Sequence, residues 1–288
     1  MALASALDDL SRFRTNNSRA SQETFQKHAS TVLKSYTKLG DDGWVALEQV
    51  FLAAVDLGRL DKADECLNLL SERFPGSQRV DVLQGIRMEA TEPPELVLQF
   101  YDQLLEADSA NAAIWKRKIS VLRRTNKIDK AVDELSQFVD TFYTDVDGWL
   151  ELADIYSSCN QYTQALQALS HVLLLAAQNP FYFQQFAETA YTAGDLPLAL
   201  KYHLIVVDMC ERELDDAKNT RPTGLAVRAW MGVKLCSRQI ILNSTPSASG
   251  TAIPKSINAL EQLATERVLA AYSSKDAGRD VVVKWAGS

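Results

Sequence analysis

The chain has 288 residues, 47% of them hydrophobic, and its 37 acidic against 30 basic side chains give a formal net charge of −7. That balance supplies no basic field to recruit phosphates, which argues against nucleic acid as a main partner. Cys66, Cys159, Cys210 and Cys236 stand far apart with no paired spacing, as expected of reduced thiols, and no apolar run approaches the roughly 18 residues that a membrane span needs.

At the N-terminus, MALASALDDLSRF lacks the basic opening and long apolar stretch of a secretory signal, so the chain is expected to stay in the cytosol. Residues 1–43 read as one or two lead-in helices. The second runs over Ser21–Leu39 with Phe25, Ala29, Val32, Leu33 and Tyr36 on one face, placed to cap the open end of a repeat array.

The array itself, over 44–213, has a period of 34 residues. Alanine or valine stands at 63, 97, 131, 165 and 199, and large side chains keep the same step at Leu47, Trp115, Trp149 and Phe183, with Asp81 the exception. A bulky residue, a small one four later and an alanine twelve beyond that, as in Trp149, Ala153 and Ala165, is the tetratricopeptide helix–turn–helix pattern. Small side chains on both helices let the backbones approach closely. The predicted fold is therefore all-α, a superhelical solenoid of antiparallel helix pairs. In the first repeat Leu47, Val50, Phe51, Ala54, Ala63, Leu67 and Leu70 are the predicted core. The second repeat has Gly85 at the small position and Pro93-Pro94 in its turn, the weakest match of the five. Between the helices of each pair the turn position reads Gly58, Glu92, Asn126, Asn160 and Gly194; glycine or asparagine in four places suits a left-handed residue. Cys66 and Cys159, inside the repeats, are expected to be small buried thiols. Residues 214–272 read as a degenerate sixth pair, Leu225–Leu242 and Ile257–Tyr272, separated by a Ser/Thr/Pro/Gly-rich flexible loop at 243–256. Residues 273–288 form a tail.

Catalytic patterns are missing. His28, His171 and His203 lie far apart, with no H-E-x-x-H, G-x-S-x-G, phosphate-loop or dinucleotide motif, so no catalytic residue, metal ligand or cofactor is expected. In tetratricopeptide proteins the first helix of each pair lines an inner groove. Here that groove would carry Glu48, Leu52 and Val55, then Val82, Ile86 and Glu89, then Lys116, Ser120 and Arg123, then Leu150 and Asp154, then Gln184, Glu188 and Tyr191. Relatives that grip chaperone carboxylates resemble one another in a lysine–asparagine clamp at such places. The mostly apolar or acidic side chains here argue against one and suit a long protein segment held by many contacts. The cluster Lys116, Arg117, Lys118, Arg123, Arg124 and Lys127 can hold an acidic partner or approach anionic headgroups; the simpler reading is a solvated helix face. Asn16-Asn17-Ser18 and Asn243-Ser244-Thr245 match the glycosylation pattern and are expected to stay bare without a signal peptide.

The segments LGDDGWVALEQV (39–50), RFPGSQRV (73–80), YDQLLEAD (101–108), KRKI (116–119) and QQFAETAYTAGD (184–195) resemble those of the family of subunit 2 of the endoplasmic reticulum membrane protein complex. The similarity runs with gaps from Ser18 to Tyr272 and departs at Pro93-Pro94, in the 243–256 loop and in the tail, the last two resembling fungal members. The resemblance implies a non-catalytic scaffold at the cytoplasmic face of the endoplasmic reticulum, peripheral through its partners. Those partners would be cytosolic segments of membrane-embedded subunits and a small soluble subunit, in a hetero-oligomer that inserts tail-anchored and multi-pass membrane proteins without nucleotide hydrolysis. The contrasting reading is a free cytosolic adaptor or co-chaperone that binds client peptides.

Overall fold

The computed structural model describes residues 2–16, 20–212, 214, 216, 220–243, 246–272 and 278–287. The two glycosylation patterns and the 273–288 tail therefore fall partly outside the described residues. Among the described residues the chain is all-α, and it divides into two compact units, Met1–Ala131 and Val132–Ser288. In the first, α1 (Ala2–Thr15) and α2 (Ser21–Ser35) lead through a 3-10 turn at Tyr36–Leu39 into α3 (Asp41–Asp56), α4 (Leu60–Arg73), α5 (Gln78–Glu89), α6 (Pro94–Ala107) and α7 (Ala112–Arg124). The division falls inside α8 (Ile128–Thr141). The second unit continues with α9 (Val146–Ser158), α10 (Tyr162–Leu175), α11 (Pro180–Thr192), α12 (Leu196–Glu211), α13 (Leu225–Leu242), α14 (Ile257–Ala270) and α15 (Arg279–Gly287). Within each unit helices pack chiefly on their sequence neighbours, as repeats of helix pairs do.

The 34-residue period has a direct packing cause. Ala63, Val97, Ala131, Ala165 and Ala199 are all fully buried, and Ala153 is buried on the other helix of the Ala165 pair. Six of the seven residues predicted for the first repeat join one buried cluster, together with Ala29 and Val32 of α2; the seventh, Leu67, packs against it with Phe25, Leu33 and Tyr36. In the second unit Ala199, Leu200, Val206, Trp230, Val233, Ile240 and Val268 form the corresponding core. The second repeat is built differently rather than broken. Pro93 stands at the N-cap of α6 and Pro94 in its first turn, where the missing N–H costs no hydrogen bond. Gly85 is small because the Tyr101 ring fills the space where a Cβ would sit.

Helix ends explain the spacing further. Asn111, Asp145 and Asn179, again 34 apart, cap α7, α9 and α11 by accepting from Ile114 N (3.2 Å), Gly148 N (2.7 Å) and Phe181 N (3.0 Å). Each such cap contributes about 1 kcal/mol. Gly58, Asn126, Asn160 and Gly194 have φ of 68°, 57°, 60° and 85°, the left-handed turn expected at those four positions; Glu92, followed by the proline pair, does not adopt it. Asn160→Val is therefore expected to lose about 1–2 kcal/mol, because a β-branched residue is strained at positive φ, while Asn160→Gly stays within a few tenths. Urea denaturation of the two variants checks this.

Two features of the C-terminal part add to the sequence reading. Residues 247–249 of the predicted loop are docked: Asp195, which caps α12 at Leu198 N, also accepts from Ser247 Oγ (2.7 Å) and Ser249 N (2.8 Å). The tail contains α15, whose Val282 and Trp285 pack on the C-terminal core, with Trp285 beneath the buried Lys234 ammonium that Glu261 and Thr265 hold. Cys159, expected to be buried, is exposed at the C-cap of α9 beside the left-handed Asn160. Cys66 and Cys236 are buried, and burial pushes both thiols up to about 12.

Candidate partner-binding site

The candidate groove residues lie on the first helices of successive pairs, and their acidic members are not left to solvent. Glu48 of α3 pairs with Arg79 of α5 (2.5 Å), and Glu89 of α5 with Arg117 of α7 (2.7 Å). In the second unit Glu188 of α11 takes Arg228 of α13 in a two-pronged contact (2.5 and 2.8 Å). Each carboxylate thus joins one first helix to the next. Glu89 is the most enclosed of the three and also accepts from Tyr101 Oη (2.6 Å). Burial and the Glu89 carboxylate push the Tyr101 phenol above its ordinary range.

The apolar members are half-buried. Leu52, Val55 and Ile86 pack against the N-terminal core, Val82 against the cluster of Val97, Tyr101, Ile114 and Val121, and Tyr191 against the C-terminal core. Lys116, Arg123 and Leu150 are half-buried, whereas Ser120 and Asp154 are exposed. Between α3 and α5 a cleft of about 330 Å³ is lined by Trp44, Val45, Glu48, Phe74, Arg79 and Leu83. Of the candidate residues only Glu48 reaches it; Trp44 and Phe74, edge to face at 5.5 Å, are not among the candidates because nothing in their spacing along the sequence marks them.

Gln184 is buried and structural in its contacts. Its Nε2 donates to Glu188 (2.7 Å) and its Oε1 lies 3.3 Å from His203 Nδ1, so Arg228, Glu188, Gln184 and His203 form one chain from α13 to α12. Burial lowers the His203 pKa to about 4, outweighing the nearby Glu188. Above pH 6.5 the imidazole is neutral folded or unfolded; between about 6.5 and 4 the unfolded chain binds a proton that the folded chain refuses, so stability falls as pH falls. Acidifying from pH 7 to 5 is expected to cost about 2 kcal/mol from this residue. Urea titrations at both pH values, with His203→Gln as the comparison that loses this dependence, check it.

The basic cluster on α7 is largely occupied. Arg117 and, at 4.0 Å, Arg124 face Glu89; Lys118 pairs with Asp102 (2.8 Å) and Lys127 with Glu95 (3.2 Å); Lys116 and Arg123 are engaged as well. Long side chains spent on neighbouring carboxylates are those of a helix face tied to its own fold. Among the described residues no group of three or more His, Cys, Asp or Glu is placed to hold a metal, and no helix is long and apolar enough to cross a membrane.

Comparison with known proteins agrees with this architecture. A solved fragment, the C-terminal part of a TPR repeat-containing protein from Cytophaga hutchinsonii, superposes with a TM-score of 0.59 over 96% of this chain and 99% of its own at 13% identity, which speaks to fold alone. The family described as the EMC2 TPR-like repeat domain matches residues 79–197. The TPR repeat protein oca3 of Schizosaccharomyces pombe is 29% identical over 216 residues, 72% of each chain. ER membrane protein complex subunit 2-A of Xenopus laevis is 39% identical over 198 residues, 68% of this chain and 67% of its own. With a tetratricopeptide-type array, that matched domain and identity across two thirds of both sequences, the chain belongs to the ER membrane protein complex subunit 2 family.

Proposed function

We propose that this chain is a non-catalytic scaffold subunit of an endoplasmic reticulum membrane protein complex, acting at the cytoplasmic face and held to the membrane through its partners. The observation that carries the reading is the 39% identity to subunit 2-A of that complex over two thirds of both chains. The contribution to insertion of tail-anchored and multi-pass membrane proteins is indirect: the array fixes the positions of partner segments and performs no chemistry. In this reading residues 1–43 cap the array, 44–213 are five repeats, 214–272 a sixth pair and 273–288 a tail. Ion pairs that tie first helix to first helix support it, since they stiffen the face on which a partner segment lies.

The test is a pull-down of the tagged chain from gently solubilised membranes, washed at high salt, with mass spectrometry of what remains. A fixed set of membrane proteins in equal amounts is the expected result. Recovery only from the soluble fraction, with chaperones or a changing set of clients, would replace this reading by the adaptor. Ser120→Arg, at an exposed candidate position, is expected to weaken retention with helical content unchanged; the core-packed Leu52 is a poorer choice, because Leu52→Asp also disturbs folding.

A further inference from the structure

The second unit carries an apolar surface that shares no residue with the candidate groove. Trp149 stacks on His171 with ring centroids 4.1 Å apart and planes within 10°, and its Nε1 donates to Tyr143 O (2.9 Å), which fixes the α8–α9 loop beside α10. One turn beyond His171, Leu174 is 80% exposed with Leu175 next to it. Tyr143 at 68% and Phe181 at 65%, in the first turn of α11, extend the same end of the repeats. Large side chains this exposed, at one end of neighbouring helices and beside the Trp149–His171 stack, are a docking surface rather than scattered surface residues.

Its electrostatics point to one kind of occupant. The last turns of α8 and α10 end at this surface with no basic residue in either, so nothing within those turns offsets the partial negative charge of the helix C-termini. Asp140, exposed in the last turn of α8, adds a full charge where a helix favours the opposite sign. We infer that Tyr143, Trp149, His171, Leu174 and Phe181, with Asp140 at their edge, form a docking site for a cationic amphipathic segment of a partner protein. An anionic lipid surface would meet the same field and be repelled.

The test uses the purified full chain and two fluorescent probes, an amphipathic helical peptide of about 18 leucines and lysines and the same peptide with glutamate for lysine. The leucine–lysine peptide is expected to bind, and the leucine–glutamate peptide not. Leu174→Ser with Phe181→Ser should weaken binding about tenfold or more, Asp140→Lys several-fold, and Leu235→Ser, an exposed apolar residue elsewhere, not at all. Thermal unfolding of each variant accompanies the titrations; these side chains are exposed, so folding is expected to survive. Equal affinity of wild type and the Leu174/Phe181 variant, equal binding of both peptides, or tighter binding to phosphatidylserine vesicles than to the leucine–lysine peptide would each overturn the inference.

Discussion

Replacing Glu211 by alanine is expected to destabilise the chain by about 3–5 kcal/mol, the cost of breaking a nearly enclosed ion pair. Its Oε1 accepts from Arg267 Nη2 and from Trp230 Nε1, both at 2.9 Å, and both members of the ion pair are nearly enclosed, at 12% and 8% side-chain exposure. Arg267 also donates to Thr220 O and lies over the face of Trp230. Removing both partners together, Glu211→Leu with Arg267→Met, should recover most of the loss, since an apolar pair of similar volume needs no counter-ion. Urea denaturation of the single and double variants reads the difference. A single variant within about 0.5 kcal/mol of wild type would mean that the Arg267 charge is compensated without Glu211.

Gly85→Ala is expected to cost about 3 kcal/mol or more, even though alanine returns about 1 kcal/mol over glycine inside a helix. An added Cβ would sit 2.6 and 2.7 Å from Tyr101 Oη and Cζ, and closer still to Cε1. The ring cannot simply turn away: it is fully buried, and its hydroxyl is held by Glu89. Repeat position suggests the rescue. Leu67, Tyr101, Leu135 and Leu169 are spaced by 34, and the three repeats with leucine there carry Phe51, Ile119 and Ala153, all larger than glycine, at the position of Gly85. Tyr101→Leu should therefore make Gly85→Ala nearly neutral relative to the Tyr101→Leu background, and a double-mutant cycle by urea denaturation measures that coupling.

These two sites also mark what could and could not be seen in the sequence. The array was legible because its packing is local and periodic: small residues at 63, 97, 131, 165 and 199 and left-handed turns at 58, 126, 160 and 194 each answer to one neighbour at a fixed distance. The Glu211–Arg267 pair is 56 residues apart and follows no period, so nothing along the chain announces it. The same holds for Glu188 with Arg228 and for the chain through Gln184 to His203. The period places Glu48, Glu89 and Gln184 on the first helices, but it is silent on their partners, which decide how much charge they present. The caps at 111, 145 and 179 do carry a periodic signal, hidden because asparagine and aspartate are common in any turn. The α15 helix has nine residues and stands outside the 34-residue period, so only its packing on the C-terminal core reveals it.

The ion pairs between first helices bear on how such an array can change over generations. Glu48 meets Arg79 after 31 residues, Glu89 meets Arg117 after 28 and Glu188 meets Arg228 after 40, none of them the 34-residue step of the backbone. Repeats of identical length are therefore not interchangeable parts. Duplicating one, deleting one or exchanging two would keep every alanine in place and every turn in register, yet would set carboxylates such as Glu89 against helices that bring no guanidinium to meet them. The backbone tolerates shuffling, while the side chains hold each unit to its place in the line.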